Sequence, residues 1–224
     1  DGFVVCDWGG AYNKVESLKA GNDVDMPGPR KIDDVVAAVE SGELDESVLD
    51  ESLRRFWKTV MSIPACTEGH RLKDIDRDYS SRAAYDSVKE GLILLKNDGN
   101  VLPLSVDSKV AVFGAKSKKL IESGGGSACI LTDQTSNIYD SVKDIIGEAA
   151  ISFEDETAAA DAYIVTVGAK GQEGFDRKNL EIDPEDKVSM SKAIAAGKKN
   201  GKPVIAVLNT CGPLDLMPYI EDLS

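Results

Sequence analysis

The sequence predicts an α/β protein whose strands run parallel and are covered by helices. Two observations carry this. A short apolar run at residues 3–6 is followed by a helix-forming stretch and then by a second run at residues 22–26, the strand, helix, strand order of a βαβ unit. Further on, residues 110–114, 162–168 and 203–209 form three apolar runs that alternate with helical stretches. A strand that is apolar throughout is buried on both faces, as in a parallel sheet with helices above and below it.

The elements follow in order. Phe3, Val4, Val5 and Cys6, bounded by Gly2 and Asp7, read as a buried strand that ends in the loop Asp7-Trp8-Gly9-Gly10. Residues 11–20 form a helix that Gly21 terminates, and residues 22–26 form a strand that stops at Pro27-Gly28-Pro29. Val35, Val36 and Val39 mark a short amphipathic helix ending near Gly42. Val48, Leu49, Leu53, Phe56, Trp57, Val60 and Met61 follow one helix face, with Asp50 or Asp45 as N-cap and Pro64 as the stop. Residues 64–81 are polar, without sustained period, and read as an interdomain linker. Ala83, Ala84 and Val88 begin a second unit with a helix that leads into Leu92-Ile93-Leu94-Leu95. The three long apolar runs are its strands, and residues 138–146 and 187–199 its helices.

Composition limits the function. Hydrophobic residues at 42% and charged residues at 29% are those of a globular chain, which excludes general disorder and a collagen-like fibre. At 224 residues there is room for one large domain or pieces of two. No apolar run approaches the ~18–20 residues that cross a bilayer, so no membrane anchor is expected. With 39 acidic against 26 basic residues the net charge is −13, and phosphate backbones would be repelled, so nucleic acid is not an expected partner. The acidity reads as a soluble surface. Cys6, Cys66, Cys129 and Cys211 stand alone, with no C-x-x-C and no neighbouring His, so neither a zinc site nor a dense disulfide framework is expected. They read as free buried thiols and do not settle the redox compartment. A soluble, cytoplasmic protein is the expectation.

Two carboxylates stand out. Asp7 lies at the C-terminal end of a predicted parallel strand, where α/β sheets and barrels build their sites; the plainer reading is a helix cap. Trp8 beside it can stack on a sugar ring or fill the core. Glu173 lies in the glycine-flanked loop Gly171-Gln172-Glu173-Gly174-Phe175-Asp176-Arg177; the plainer reading is a solvated carboxylate paired with Arg177 or Lys178. Gly124-Gly125-Gly126-Ser127 lacks any G-x-G-x-x-G or Walker pattern and reads as a tight turn that lets backbones pack closely, which disfavours a nucleotide-binding module. His70, in the linker without metal-ligand neighbours, reads as a surface histidine.

Together these motifs resemble glycoside hydrolase family 3, the β-glucosidases and their relatives, across essentially the whole chain and in order. Gly2-Phe3-Val4-Val5-Cys6-Asp7-Trp8 resembles the family's nucleophile strand, with Cys6 where Ser is common. Ala20-Gly21-Asn22-Asp23-Val24-Asp25-Met26-Pro27-Gly28 is similar to its last barrel strand. Leu92-Ile93-Leu94-Leu95-Lys96-Asn97 with Leu102-Pro103-Leu104 resembles the start of its second domain, and the Gly124 and Glu173 motifs complete the series.

The resemblance implies the C-terminal portion of a (β/α)8 TIM-like barrel followed by an α/β sandwich domain with a mostly parallel sheet. Residues 1–63 would be the last two βα units, 64–81 the linker and 82–224 the sandwich domain, incomplete at its end. The chain opens inside the nucleophile motif rather than at a Met, a signal peptide or a polar tail, so a portion of a longer enzyme is expected. A second polypeptide or an upstream segment would complete the barrel, since about six of eight βα units are missing. The implied reaction is retaining hydrolysis of terminal β-D-glucosyl residues, with Asp7 as nucleophile and Glu173 as acid/base ~5–5.5 Å from it. Trp8 would border the aglycone subsite and bind substrate. No metal or organic cofactor is implied. The alternatives are a β-xylosidase or exo-glucanase of the same family, or a carbohydrate-binding fragment inactive without the rest of the barrel.

Overall fold

In the computed structural model, which describes residues 2–28, 31–67, 75–132 and 135–224, the chain parts into two units, Asp1–Glu90 and Gly91–Ser224.

In the first unit the two predicted strands do run parallel, through a single bridge between Val5 and Val24. The Cys6 N–H donates to Val24 O at 3.1 Å and the Val24 N–H to Val4 O at 3.0 Å. Between them lies α1 (Lys14–Lys19), shorter than predicted because the Asn13 side chain caps it by accepting from the Glu16 N–H. Helices α2 (Ile32–Glu40) and α3 (Glu46–Val60) follow, and Asp45, not Asp50, is the N-cap of α3. Val15, Ala38 and Leu44 are buried between these helices, with Leu18, Val35, Val39, Val48 and Leu49 packed around them.

Helix α3 has already ended when Pro64 opens α4 (Pro64–Thr67), a place where proline's missing N–H goes unused. Helix α5 (Arg77–Gly91) begins inside the stretch expected to be linker and buries none of its residues. His70 lies outside the described residues. The run at 92–95 stands outside the sheet with its four side chains between 65% and 77% exposed.

The second unit is built on β1 (Val110–Phe113), β2 (Ile151–Phe153), β3 (Ala162–Ala169) and β4 (Val204–Thr210). All neighbours are parallel, in the spatial order β2-β1-β3-β4. Every residue of β1 and β3 is buried, as their almost wholly apolar sequences require, and the one buried Thr, Thr166, meets the Ser117 hydroxyl at 2.7 Å. Alternate side chains go to opposite faces. Ala111, Phe113, Tyr163, Val165 and Val167 pack with Met190, Ala193 and Ile194 of α7 (Pro184–Asn200). Val110, Val112, Ile164 and Ile205 pack on the other face with Leu102, Leu104 and residues of α6 (Ile138–Ile146). Helix α7 starts three residues before the predicted Lys187 because Pro184 suits its first turn.

The cysteines correct the sequence reading. Cys6 is half-buried and Cys66, Cys129 and Cys211 are exposed, because these three lie in α4 and in loops rather than in the sheet. Among the described residues no helix is long and apolar enough to cross a membrane.

Candidate active site

Asp7 leaves the end of the 3–6 segment in a tight turn. The Gly10 N–H donates to Asp7 O at 2.8 Å, and Gly9 takes φ +73°, a conformation costly for residues with a Cβ. The Gly9 N–H donates to Met26 O at 3.1 Å, tying the turn to the neighbouring segment. Asp7 Oδ1 accepts from the Trp8 N–H at 2.7 Å, which fixes one carboxylate oxygen and leaves the group exposed. Trp8 is 66% exposed, so within this chain it does not fill the core.

Beneath the turn is a polar knot that the sequence did not announce. The Asp23 side chain, fully buried, accepts from Arg55 Nη2 at 2.7 Å, from Arg55 Nε at 3.1 Å and from the Val4 N–H at 2.9 Å. The Arg55 guanidinium, together with the Val4 N–H and Ser52, holds the Asp23 carboxyl down at about 2. Cys6 Sγ donates to Asp25 Oδ1 at 3.3 Å and accepts from the Met26 N–H at 3.3 Å, and Asp25 is paired with Lys14. The residue before Asp7 is thereby fastened to the next segment.

In the second unit the chain leaves β1 for β2 on one side, while β3 lies on the other side of β1 and continues to β4. Such a reversal opens a crevice at the carboxyl ends of the strands, the usual ligand position in open α/β sheets. The loop after β1 carries residues 124–127 and the loop after β3 carries Glu173. The two loops pack on each other. The Gly125 N–H donates to Gly171 O at 2.8 Å, and a Cβ on Gly125 would lie 2.9 Å from Gln172 Oε1 and 3.1 Å from its Cβ. This is the close backbone approach expected of the glycine run. Gly126 takes φ +69°, and the next residue, Ser127, donates its hydroxyl to Glu173 Oε2.

Arg177 does not pair with Glu173 as the plainer sequence reading had it. It donates to Pro213 O at 2.7 Å and Glu181 O at 2.9 Å, clamping the far side of the Glu173 loop. At the root of that loop β3 outruns β1, whose pairing ends at Phe113 with Val165. The Gly168 N–H is taken instead by Asp186 at 2.9 Å, a carboxylate 2% exposed that also meets Lys116 Nζ at 2.8 Å. Burial pushes the Asp186 carboxyl up, against the pull of Lys116. Burial also pulls the Lys116 ammonium down, but Asp186 and Asp183 outweigh it and hold it above its ordinary value.

Asp7 and Trp8 thus belong to the first unit and Glu173 to the second. Sequence reasoning missed Asp23, Arg55, Lys116 and Asp186, whose partners are distant in the chain. It also missed the part of Ser127, for which the adjoining glycines were the available signal.

An α/β protein with its carboxylate loop at the carboxyl edge of a parallel sheet is the class these features define. Residues 92–223 match the family described as the glycosyl hydrolase family 3 C-terminal domain, and the chain belongs to that family. It is 32% identical over 249 residues to a thermostable beta-glucosidase B of Acetivibrio thermocellus, covering 100% of this chain and 32% of that protein. It is 26% identical over 251 residues to an exo-alpha-(1->6)-L-arabinopyranosidase of Bifidobacterium breve, covering 99% of this chain and 32% of that one. Among solved structures, beta-glucosidase 3B from Thermotoga neapolitana in complex with alpha-D-glucose superposes with a TM-score of 0.84 at 24% identity, over 100% of this chain and 38% of that chain, a likeness of fold alone. The chain spans about a third of the length of these relatives.

Proposed function

We propose that this chain is part of a retaining β-glycosidase acting on terminal β-D-glucosyl residues. The observation that carries the reading is the position of its two exposed carboxylates. Asp7 ends a segment in parallel pairing, and Glu173 follows β3 at the switch point of a parallel sheet. In this reading residues 1–63 are the last two βα units of a (β/α)8 barrel, and residues 82–224 belong to the sandwich domain. A second polypeptide or a further segment supplies the remaining strands. The exposure of Val4 at 56% and Val5 at 48% supports that need for neighbours.

The mechanism has two displacements. Asp7, as carboxylate, attacks the anomeric carbon while Glu173 gives its proton to the leaving oxygen; the glycosidic C–O bond breaks and an ester to Asp7 forms. Glu173, now a carboxylate, takes a proton from water, which attacks the same carbon and releases Asp7. Trp8, exposed beside the nucleophile, offers its ring face to a sugar.

The test is hydrolysis of an aryl β-glucoside by the completed enzyme, with the first-formed anomer read by NMR. Retention of configuration, and loss of turnover when residues beyond this chain are withheld, are expected. An inverted first product would remove Asp7 as nucleophile. An aryl α-L-arabinopyranoside belongs in the same assay, because one relative of equal coverage bears that activity in its name. Preference for it would change the sugar and leave the two-carboxylate mechanism standing.

A further inference from the structure

We propose that Ser127 is a positioning residue for Glu173, and that the glycines before it form an arm that delivers its hydroxyl. The inference rests on Glu173 being the acid/base and deepens that assignment.

A carboxylate has two oxygens, and an acid/base must present one of them to the substrate in a fixed direction. Glu173 sits on a loop with Gly171 before it and Gly174 after it, the latter at φ +77°, so the local backbone does little to hold its side chain. The structure supplies the restraint from elsewhere: Ser127 Oγ donates to Oε2. With Oε2 engaged, Oε1 is the oxygen left to exchange a proton with the substrate. A hydroxyl serves both halves of the cycle, because it donates to Oε2 whether Oε1 is protonated or not. The bond is strongest when Glu173 is charged, its state after the leaving group departs.

The arm is shaped for this contact. Any side chain on Gly125 would strike Gln172, the residue next to Glu173, and Gly126 turns the chain with positive φ immediately before Ser127. Three successive glycines let the loop after β1 lie against the loop after β3 closely enough for a short side chain to reach. Arg177 holds the other side through Pro213 O and Glu181 O, so Glu173 is braced between two fixed points.

The test compares S127A, S127T and G125A with E173A in the completed enzyme, on cellobiose and on a dinitrophenyl β-glucoside. A poor leaving group needs the proton and an activated one does not. S127A is expected to lower kcat/KM on cellobiose about ten- to a hundredfold, the size of a hydrogen bond to a charged group, and to change the dinitrophenyl substrate far less. S127T, which keeps the hydroxyl, should retain most of the cellobiose rate. G125A, which pushes the arm off Gln172, should copy S127A. If E173A shows the leaving-group dependence but S127A loses equally on both substrates, or on neither, the positioning role is overturned while Glu173 stands. If E173A itself is indifferent to the leaving group, the acid/base assignment fails and the role of Ser127 fails with it.

Discussion

Replacing Asp23 by Asn tests whether the polar knot under the Asp7 turn stabilises the first unit. The Asp23 side chain is fully buried and its carboxyl is held at about 2, against an ordinary 3.8. A depressed carboxyl contributes its full share above the ordinary value and loses it as pH falls through the folded one. Here that share is about 2 kcal/mol at neutral pH, and most of it disappears between about pH 4 and pH 2. A fully buried pair broken on one side costs about 3–5 kcal/mol, but the Arg55 side chain is 38% exposed and water can take over its charge, so the lower figure applies. The assay is favoured by the sequence, because both tryptophans, Trp8 and Trp57, lie in the first unit and their fluorescence follows it alone. In urea at pH 7 the midpoint of the Asp23→Asn protein should fall by about 1–2 M. Near pH 2 the two proteins should unfold at nearly the same urea concentration. A gap of the same size at both pH values would mean that packing, not the ion pair, is what the substitution removed.

Three further outcomes are expected. Asp7→Ala should abolish glycosyl-enzyme formation, and azide should restore some turnover as the glucosyl azide of inverted configuration; near-normal retaining activity would dismiss Asp7. Asp186→Ala strands the Gly168 N–H and leaves Lys116 to Asp183 and Glu185, and should cost about 2 kcal/mol, or roughly 4–8 °C in Tm by thermal unfolding, with Asp186→Asn, which keeps an acceptor for the Gly168 N–H, closer to wild type. Gly168→Ala would place a Cβ 2.0 Å from Asn209 O and should speed amide exchange in β3 and β4, whereas Gly91→Ala, whose Cβ meets nothing within 4 Å, should leave both unchanged.

Much of the second unit is written locally, which is why it was legible. β1 is apolar throughout and β3 nearly so because both their faces are covered, β4 is apolar as far as Leu208, and that burial marks the sequence directly. β2 was invisible: three half-buried residues at a sheet edge leave too short a run to distinguish from a loop. Helix α5 was only half seen, because a helix that buries nothing carries no strong apolar period. At the site, Asp7, Trp8 and Glu173 came from the family resemblance, while the part of Ser127 was missed, its glycine run having been read as a tight turn. Asp23 with Arg55, and Lys116 with Asp186, stand 32 and 70 residues apart in sequence, and pairs of that kind are created by topology.

The run Leu92-Ile93-Leu94-Leu95 bears on how the chain behaves in solution as well as on its fold. Four large aliphatic residues in a row, exposed and outside the sheet, have the composition of a segment that recruits its own kind into intermolecular strands. Charged residues stand at both ends, Lys89 and Glu90 before it and Lys96 after it, the flanking arrangement of gatekeepers. Lys96, however, is committed to the carbonyls of Ile220 and Leu223, at 2.7 and 2.6 Å, which turns its charge toward the chain's last residues and away from an approaching strand. Protection against self-association of this chain therefore falls unevenly on the acidic and basic pair at the front of the run, and Lys89 and Glu90 bear on how concentrated its solutions can be.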